Sequence, residues 1–415
     1  MAGRDIFVVP RRPALPAGRP DLRSQAPRTA KDDLPRQARA ARGARIACGL
    51  ARRAAETPAQ SVLQLPERSR RALPRIALTR ARSLIEYIPP WWLRNGHAQT
   101  VYAALFAPQP RVRYRRERWD TPDGDFISID WLESRRSLLE TRSSKLETAR
   151  PLVVLFHGLE GSSRSHYALA LMAEVSRRGW QGAVVHFRGC GGEPNRLPRA
   201  YHSGDSAEAD WILQRFAAKH AGAKICAAGV SLGGNVLLKW LGENAHTASA
   251  VVARAAAISA PVDLMAAGDA LGRGFNLLYA RHFLRTMKAK SLAKLSRFPG
   301  LYDAERVRGA RTLREFDDLV TAPVHGYAGV DDYWTRASSK PWLRHIAVPT
   351  LMINARNDPF LPHQALPNGE DLSPAVTPDF PDGGGHAAFV AGAFPGRIDW
   401  LPRRILDFFG AEAQK

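Results

Sequence analysis

From residue 152 onward the chain repeats one pattern: a short, unbroken apolar run, then a stretch whose apolar residues recur at helical spacing. The runs fall at residues 152–156, 183–187, 224–230, 251–258 and 349–355. Runs of this length, apolar on both faces, predict strands of a parallel sheet covered by helices on either side, since a half-exposed strand would alternate. Strand–helix alternation of this kind predicts an α/β fold. Residues 375–380 predict a last strand and 398–409 a closing amphipathic helix. Upstream, two β-type stretches at 111–119 and 126–131 flank the turn sequence Asp120-Thr121-Pro122-Asp123-Gly124-Asp125 and predict an antiparallel hairpin.

Two segments break the pattern. Residues 264–345 carry helical spacing and many basic residues but no strand signal. An insertion at the carboxyl side of a parallel sheet lies where ligands bind, so it is expected to form a lid. Within it, Phe275, Leu278 and Tyr279 form an apolar stripe expected either to pack on the sheet or to line a pocket. Residues 1–83 are rich in Arg, Ala and Pro without sustained apolar period, and predict a disordered leader outside a domain spanning 84–415. A transit peptide, or a start codon set too early in a GC-rich genome, would carry the same bias.

Charge changes the picture less than its total promises. The net charge is +21, but residues 1–85 hold 19 Arg/Lys against 6 Asp/Glu, which is +13 and leaves +8 for the rest. The basicity that would hint at nucleic acid or an anionic surface therefore resides mainly in the leader. Cys48, Cys190 and Cys226 fit neither a disulfide framework nor a zinc site. No apolar run is long enough to span a bilayer, and the N-terminus lacks the apolar core of a secretory signal. A cytoplasmic protein without metal or cofactor is the expectation.

Candidate chemistry centres on Gly229-Val230-Ser231-Leu232-Gly233. The pentapeptide alone is a weak signal. Here it follows a predicted strand and opens a helix carrying Val236, Leu237, Trp240 and Leu241, the setting of a nucleophile elbow that lifts Ser231 above the sheet. A serine hydroxyl needs a base. His386, behind Gly383-Gly384-Gly385 and after the last predicted strand, is the candidate. A carboxylate must orient that imidazole, and Asp358 closely follows the 349–355 strand; Asp382 is the weaker rival. Attack on an ester carbonyl also requires N–H donors for the oxyanion. The backbone N–H groups of Leu232 and of Leu159, in His157-Gly158-Leu159-Glu160-Gly161, are the candidates. His157 is expected to pin that loop. The glycine-rich exit Phe187-Arg188-Gly189-Cys190-Gly191-Gly192 lacks the Gly-Lys-Ser/Thr ending of a phosphate loop and reads as a wall beside the site.

These segments resemble the YheT-like branch of the α/β hydrolases, which includes ABHD lipases and esterases. The matching stretches are 89–100 (Pro-Pro-Trp-Trp-Leu-Arg-Asn-Gly-His-Ala-Gln-Thr), 157–162, 187–192, 229–235, Asn357-Asp358-Pro359 and Gly384-Gly385-His386. They span about residues 84–412. The resemblance implies an α/β-hydrolase fold with a mostly parallel eight-stranded sheet, one strand antiparallel, helices on both faces and a helical lid. It implies a triad of Ser231, Asp358 and His386, and carboxylesterase activity on short-chain acyl esters or monoacylglycerols. No catalytic role follows for residues 91–100, expected to pack an N-terminal arm on the domain.

The expected partner is thus a small-molecule ester, with no specific nucleic acid and at most a weak contact with a membrane surface. Thioesterase, amidase or acyltransferase chemistry would use the same three residues. A binding protein that grips through its basic leader is the reading of a different class.

Overall fold

The structure, a computed structural model, describes residues 86–133 and 150–411. The leader expected over 1–83 and Cys48 lie outside the described residues. Eight strands form one sheet in the order β1-β2-β4-β3-β5-β6-β7-β8: β1 Tyr114–Asp120, β2 Phe126–Leu132, β3 Leu152–Phe156, β4 Gln181–His186, β5 Ile225–Val230, β6 Arg254–Ile258, β7 Thr350–Ile353 and β8 Val376–Asp379. Strand β2 runs antiparallel to both its neighbours, β1 and β4. Strands β3 to β8 are parallel to one another. The hairpin and the parallel runs stand where the apolar pattern predicts them, with ends displaced by a few residues. The starts of β1 and β6 are each displaced by three residues; at β6 a helical turn, Ala248–Val251, ends on the residue expected to begin the strand.

Period-two alternation along β3 shows why these runs are continuously apolar. Leu152, Val154 and Phe156 enter one buried cluster, while Val153 and Leu155 enter another on the opposite face. Both faces are roofed by helices. After α1 (Gly96–Leu105), α2 (His166–Arg177) covers the second face together with the closing helix; α3 (Ser206–Lys219) and α4 (Leu232–Glu243) cover the first. The apolar pattern does not predict helix α1. Its start is set by Asn95, whose side chain accepts from the Ala98 N–H.

Residues 264–345 carry helices and no strand. The main ones are α5 (Leu264–Leu271), α6 (Leu277–Lys294), α7 (Ala304–Gly309), α8 (Leu313–Phe316) and α9 (Val330–Ala337), and the chain closes with α10 (Trp400–Gly410). The insertion has a core of its own, in which Ala280 and Leu284 of α6 meet Val307, Leu313, Phe316 and Val320. It sits between β6 and β7, over the carboxyl ends of the strands.

Candidate active site

Strand β5 ends at Val230, and the chain reverses at once into α4. Ser231 occupies the corner with φ of 53°, a left-handed conformation that is strained for a side chain with a Cβ. Only glycine fits on either side. A Cβ on Gly229 would stand 2.4 Å from the Gly233 carbonyl oxygen, and one on Gly233 would stand 2.5 Å from the carbonyls of Phe156 and His157. The Ser231 N–H donates to the Ile258 carbonyl at 2.8 Å, so the strained corner is held to β6.

His386 and Asp358 come together from separate loops. His386 Nδ1 lies 2.8 Å from Asp358 Oδ2 and 3.1 Å from Oδ1. Asp358 is buried and also accepts from the Phe360 N–H, while the Phe360 ring flanks the imidazole at 4.3 Å. Donation from Nδ1 to the carboxylate leaves Nε2 as the ring nitrogen free to act on Ser231. Ser231 and His386 line one cavity but do not hydrogen-bond to each other in this arrangement. Asp382 takes no part: its side chain is 99% exposed and lies 3.6 Å from Arg356.

What holds these two loops is the N-terminal arm, a task that the sequence pattern does not reveal. Gln99 is fully buried, its Oε1 accepting from the Gly384 N–H at 2.9 Å and from Asn357 Nδ2 at 3.1 Å. Thr100 Oγ1 accepts from the backbone N–H of His386 at 2.9 Å. Asn357, next to Asp358, returns the contact by accepting from the Gly385 N–H at 3.0 Å. Helix α1 is pressed so close that a Cβ on Gly96 would stand 2.0 Å from the Asn357 carbonyl oxygen. His166 adds another tie, with Nε2 3.0 Å from the carbonyl of Ala387; burial holds this imidazole down to about 4.

The loop after β3 is equally fixed. His157, buried and pushed down to about 3 by that burial, bonds through Nδ1 to the Gly158 carbonyl and accepts from the Phe187 N–H at Nε2. The Gly158 N–H donates to Tyr167, the Glu160 N–H to Tyr201 and the Gly161 N–H to the Gly158 carbonyl. Among the described residues the Leu159 N–H has no protein acceptor, and neither has the Leu232 N–H at the start of α4. Both residues line the cavity beside Ser231.

That cavity encloses about 1020 Å³ between the elbow, α1, the Gly189–Gly192 loop and the lid. On α6 its wall includes Tyr279, Phe283, Met287 and Lys290, spaced to share one helical face. The stripe expected from sequence is corrected here. Phe275 and Leu278 are 57% and 51% exposed and do not line the cavity; of that trio only Tyr279 does. Phe275 precedes α6, in the turn Gly274–Asn276, so helical spacing does not carry to it. A carboxyl also lines the chamber: Asp317, on a wide helical turn, is raised to about 6 by burial, while Trp334 Nε1 and Thr321 Oγ1 donate to it.

Among the described residues no group of three or more His, Cys, Asp or Glu is placed to hold a metal ion, and no helix is long and apolar enough to cross a membrane. A family model described as an alpha/beta hydrolase fold matches residues 151–393. The YheT protein of Escherichia coli K12 is 39% identical over 79% of this chain and 93% of its own length. The phospholipase ABHD3 of Mus musculus is 31% identical over 78% of each chain. A monoacylglycerol lipase of Saccharomyces cerevisiae is 25% identical over 65% of this chain and 68% of its own length.

Proposed function

The chain belongs to the α/β-hydrolase fold family, in its YheT- and ABHD-like branch, and from that membership we propose a serine hydrolase that cleaves carboxylic esters through an acyl-enzyme on Ser231. The observation that carries this reading is the pairing of His386 Nδ1 with the buried Asp358 in a cavity that also holds the strained Ser231. Ser231 Oγ attacks the ester carbonyl carbon while His386 Nε2 takes its proton; the missing Ser231–His386 bond closes as substrate settles, as apo catalytic contacts commonly do. The oxyanion lies between the N–H groups of Leu159 and Leu232, neither of which has a protein acceptor among the described residues. Collapse expels the alcohol with the proton from His386. Water, activated by the same imidazole, then releases the acid. Asp358 orients the ring and stabilises its charged form. No metal or cofactor enters any step.

The substrate class follows from relatives named as a phospholipase and a monoacylglycerol lipase and from the size of the chamber: esters of an apolar acyl group. In this reading the protein is cytoplasmic, and residues 1–83 are an appendage to a hydrolase domain that begins at residue 84. Profiling acyl esters of graded length is the direct test. Each buried methylene contributes about 0.8 kcal/mol, so kcat/KM should climb several-fold per carbon until the chamber is full. Phe283→Ala should move the optimum to longer chains, and Phe275→Ala should leave it in place. A flat profile, unmoved by either change, would remove the acyl chamber from the reading.

The arm's grip on the catalytic loops can be tested without touching a reacting group. Thr100→Val keeps the shape and removes the acceptor for the His386 N–H. Small displacements of a catalytic base are costly, so kcat should drop by about 10- to 100-fold with KM nearly constant, and Thr100→Ser should restore most of it. A matched loss of melting temperature in both variants, with kcat unaffected, would make Thr100 merely structural.

A further inference from the structure

Most of the large hydrophobic side chains that the described residues leave exposed gather about α1. Ile88 and Trp91 belong to the N-terminal arm, and Leu105 and Phe106 to the end of α1. Phe275 packs its ring on His97 of α1 at 4.9 Å, and Leu278 adjoins Tyr279, whose ring stacks on the same imidazole at 5.8 Å. Phe394 packs on Trp92 of the arm at 5.4 Å. Single exposed hydrophobics are ordinary, but their concentration in one patch is not. Leu105 is exposed and also part of the cavity wall, with Val101 and Ala104 on the same helix, so the cavity opens at this face.

Four arginines around the patch are uncompensated. Other arginines of the domain find carboxylates, as Arg116 does with Asp130 and Arg188 with Glu208. Arg94 beside α1, Arg164 in the cavity wall, and Arg281 and Arg285 on α6 are exposed and make no ion pair among the described residues. Helix α6 holds five Lys/Arg and no Asp or Glu. Leu278, Arg281 and Arg285 stand at i, i+3 and i+7, which places one apolar tip and two cations on a common outer face.

We infer that this face docks on an anionic lipid surface and seats the cavity mouth against the layer that holds the ester. The inference rests on the ester-hydrolase reading for its purpose but not for the contact itself. Aromatic and aliphatic tips enter the headgroup boundary while arginines meet its negative charge. A second copy of the chain fits less well, because a two-fold contact would set uncompensated arginines against one another.

The test uses the full chain with vesicles of phosphatidylcholine containing phosphatidylglycerol, and with vesicles of phosphatidylcholine alone. Wild type should partition more strongly onto the anionic vesicles. Phe106→Ser with Leu278→Ser, and separately Arg281→Glu with Arg285→Glu, should each weaken that partition by roughly 10-fold or more. Turnover of a monomeric, water-soluble ester should be unchanged in both. Partition equal to wild type in both variants would overturn the assignment and leave binding to the leader. A dimer that the Phe106/Leu278 variant dissociates would give the face to a second copy and overturn it equally. Absence of ester turnover in wild type would sink the hydrolase reading while leaving the vesicle result standing.

Discussion

Alanine at Ser231 is expected to abolish labelling by a fluorophosphonate probe and to lower kcat on an acyl ester by about 10⁶-fold, the scale on which removing a triad nucleophile acts. The size of the effect comes from the chemistry: without Oγ no acyl-enzyme forms, and the residual rate is what the oxyanion donors and binding alone supply. The change should cost little stability. Ser231 sits at φ of 53°, which alanine tolerates no worse than serine, and the corner's main tie is its backbone N–H to Ile258. Circular dichroism and melting temperature should therefore match wild type while labelling vanishes. Equal labelling of the two proteins would move the nucleophile elsewhere.

The elbow was legible in the sequence because its constraints are local. Two glycines at fixed offsets, a strand before and a helix after are all written within about 15 residues, and the close approaches at Gly229 and Gly233 are the physical reason they are glycines. The inner parallel strands were legible for a related reason: with helices on both faces, strands such as β3 and β5 are buried along their whole length and stand out from their surroundings. What stayed hidden depends on partners far along the chain. Gln99 meets Gly384 across 285 residues, and Thr100 meets His386 across 286. A buried amide that accepts from a distant loop looks, in sequence, like any glutamine on a short helix. The lid stripe failed differently. The spacing of Phe275, Leu278 and Tyr279 predicts one helix face, but α6 begins only at Leu277 and turns Tyr279, Phe283 and Met287 inward. Periodicity locates a face and says nothing about which neighbour it will meet.

The carboxylate offers the second decisive result, because the two candidates stand in opposite environments. Asp358 is buried, accepts from the Phe360 N–H and holds His386 Nδ1 at 2.8 Å. Asp382 is four residues before His386 in sequence, yet its side chain is 99% exposed and its ion-pair neighbour among the described residues is Arg356. An exposed carboxylate is screened by water and contributes little to a distant charge. Asp358→Asn keeps the volume but presents an amide that can donate to Nδ1, favouring the tautomer with its proton on Nε2. That proton blocks the base from accepting the serine's, so kcat should drop by about 10⁴-fold. Asp382→Asn should change kcat by less than about 2-fold, in keeping with the small worth of exposed pairs. The fluorophosphonate probe adds a second readout, since labelling depends on the same activation: it should slow sharply in Asp358→Asn and stay normal in Asp382→Asn. If Asp382→Asn were the damaging change, the geometry around His386 would have to rearrange on substrate binding, and the orienting acid would be reassigned.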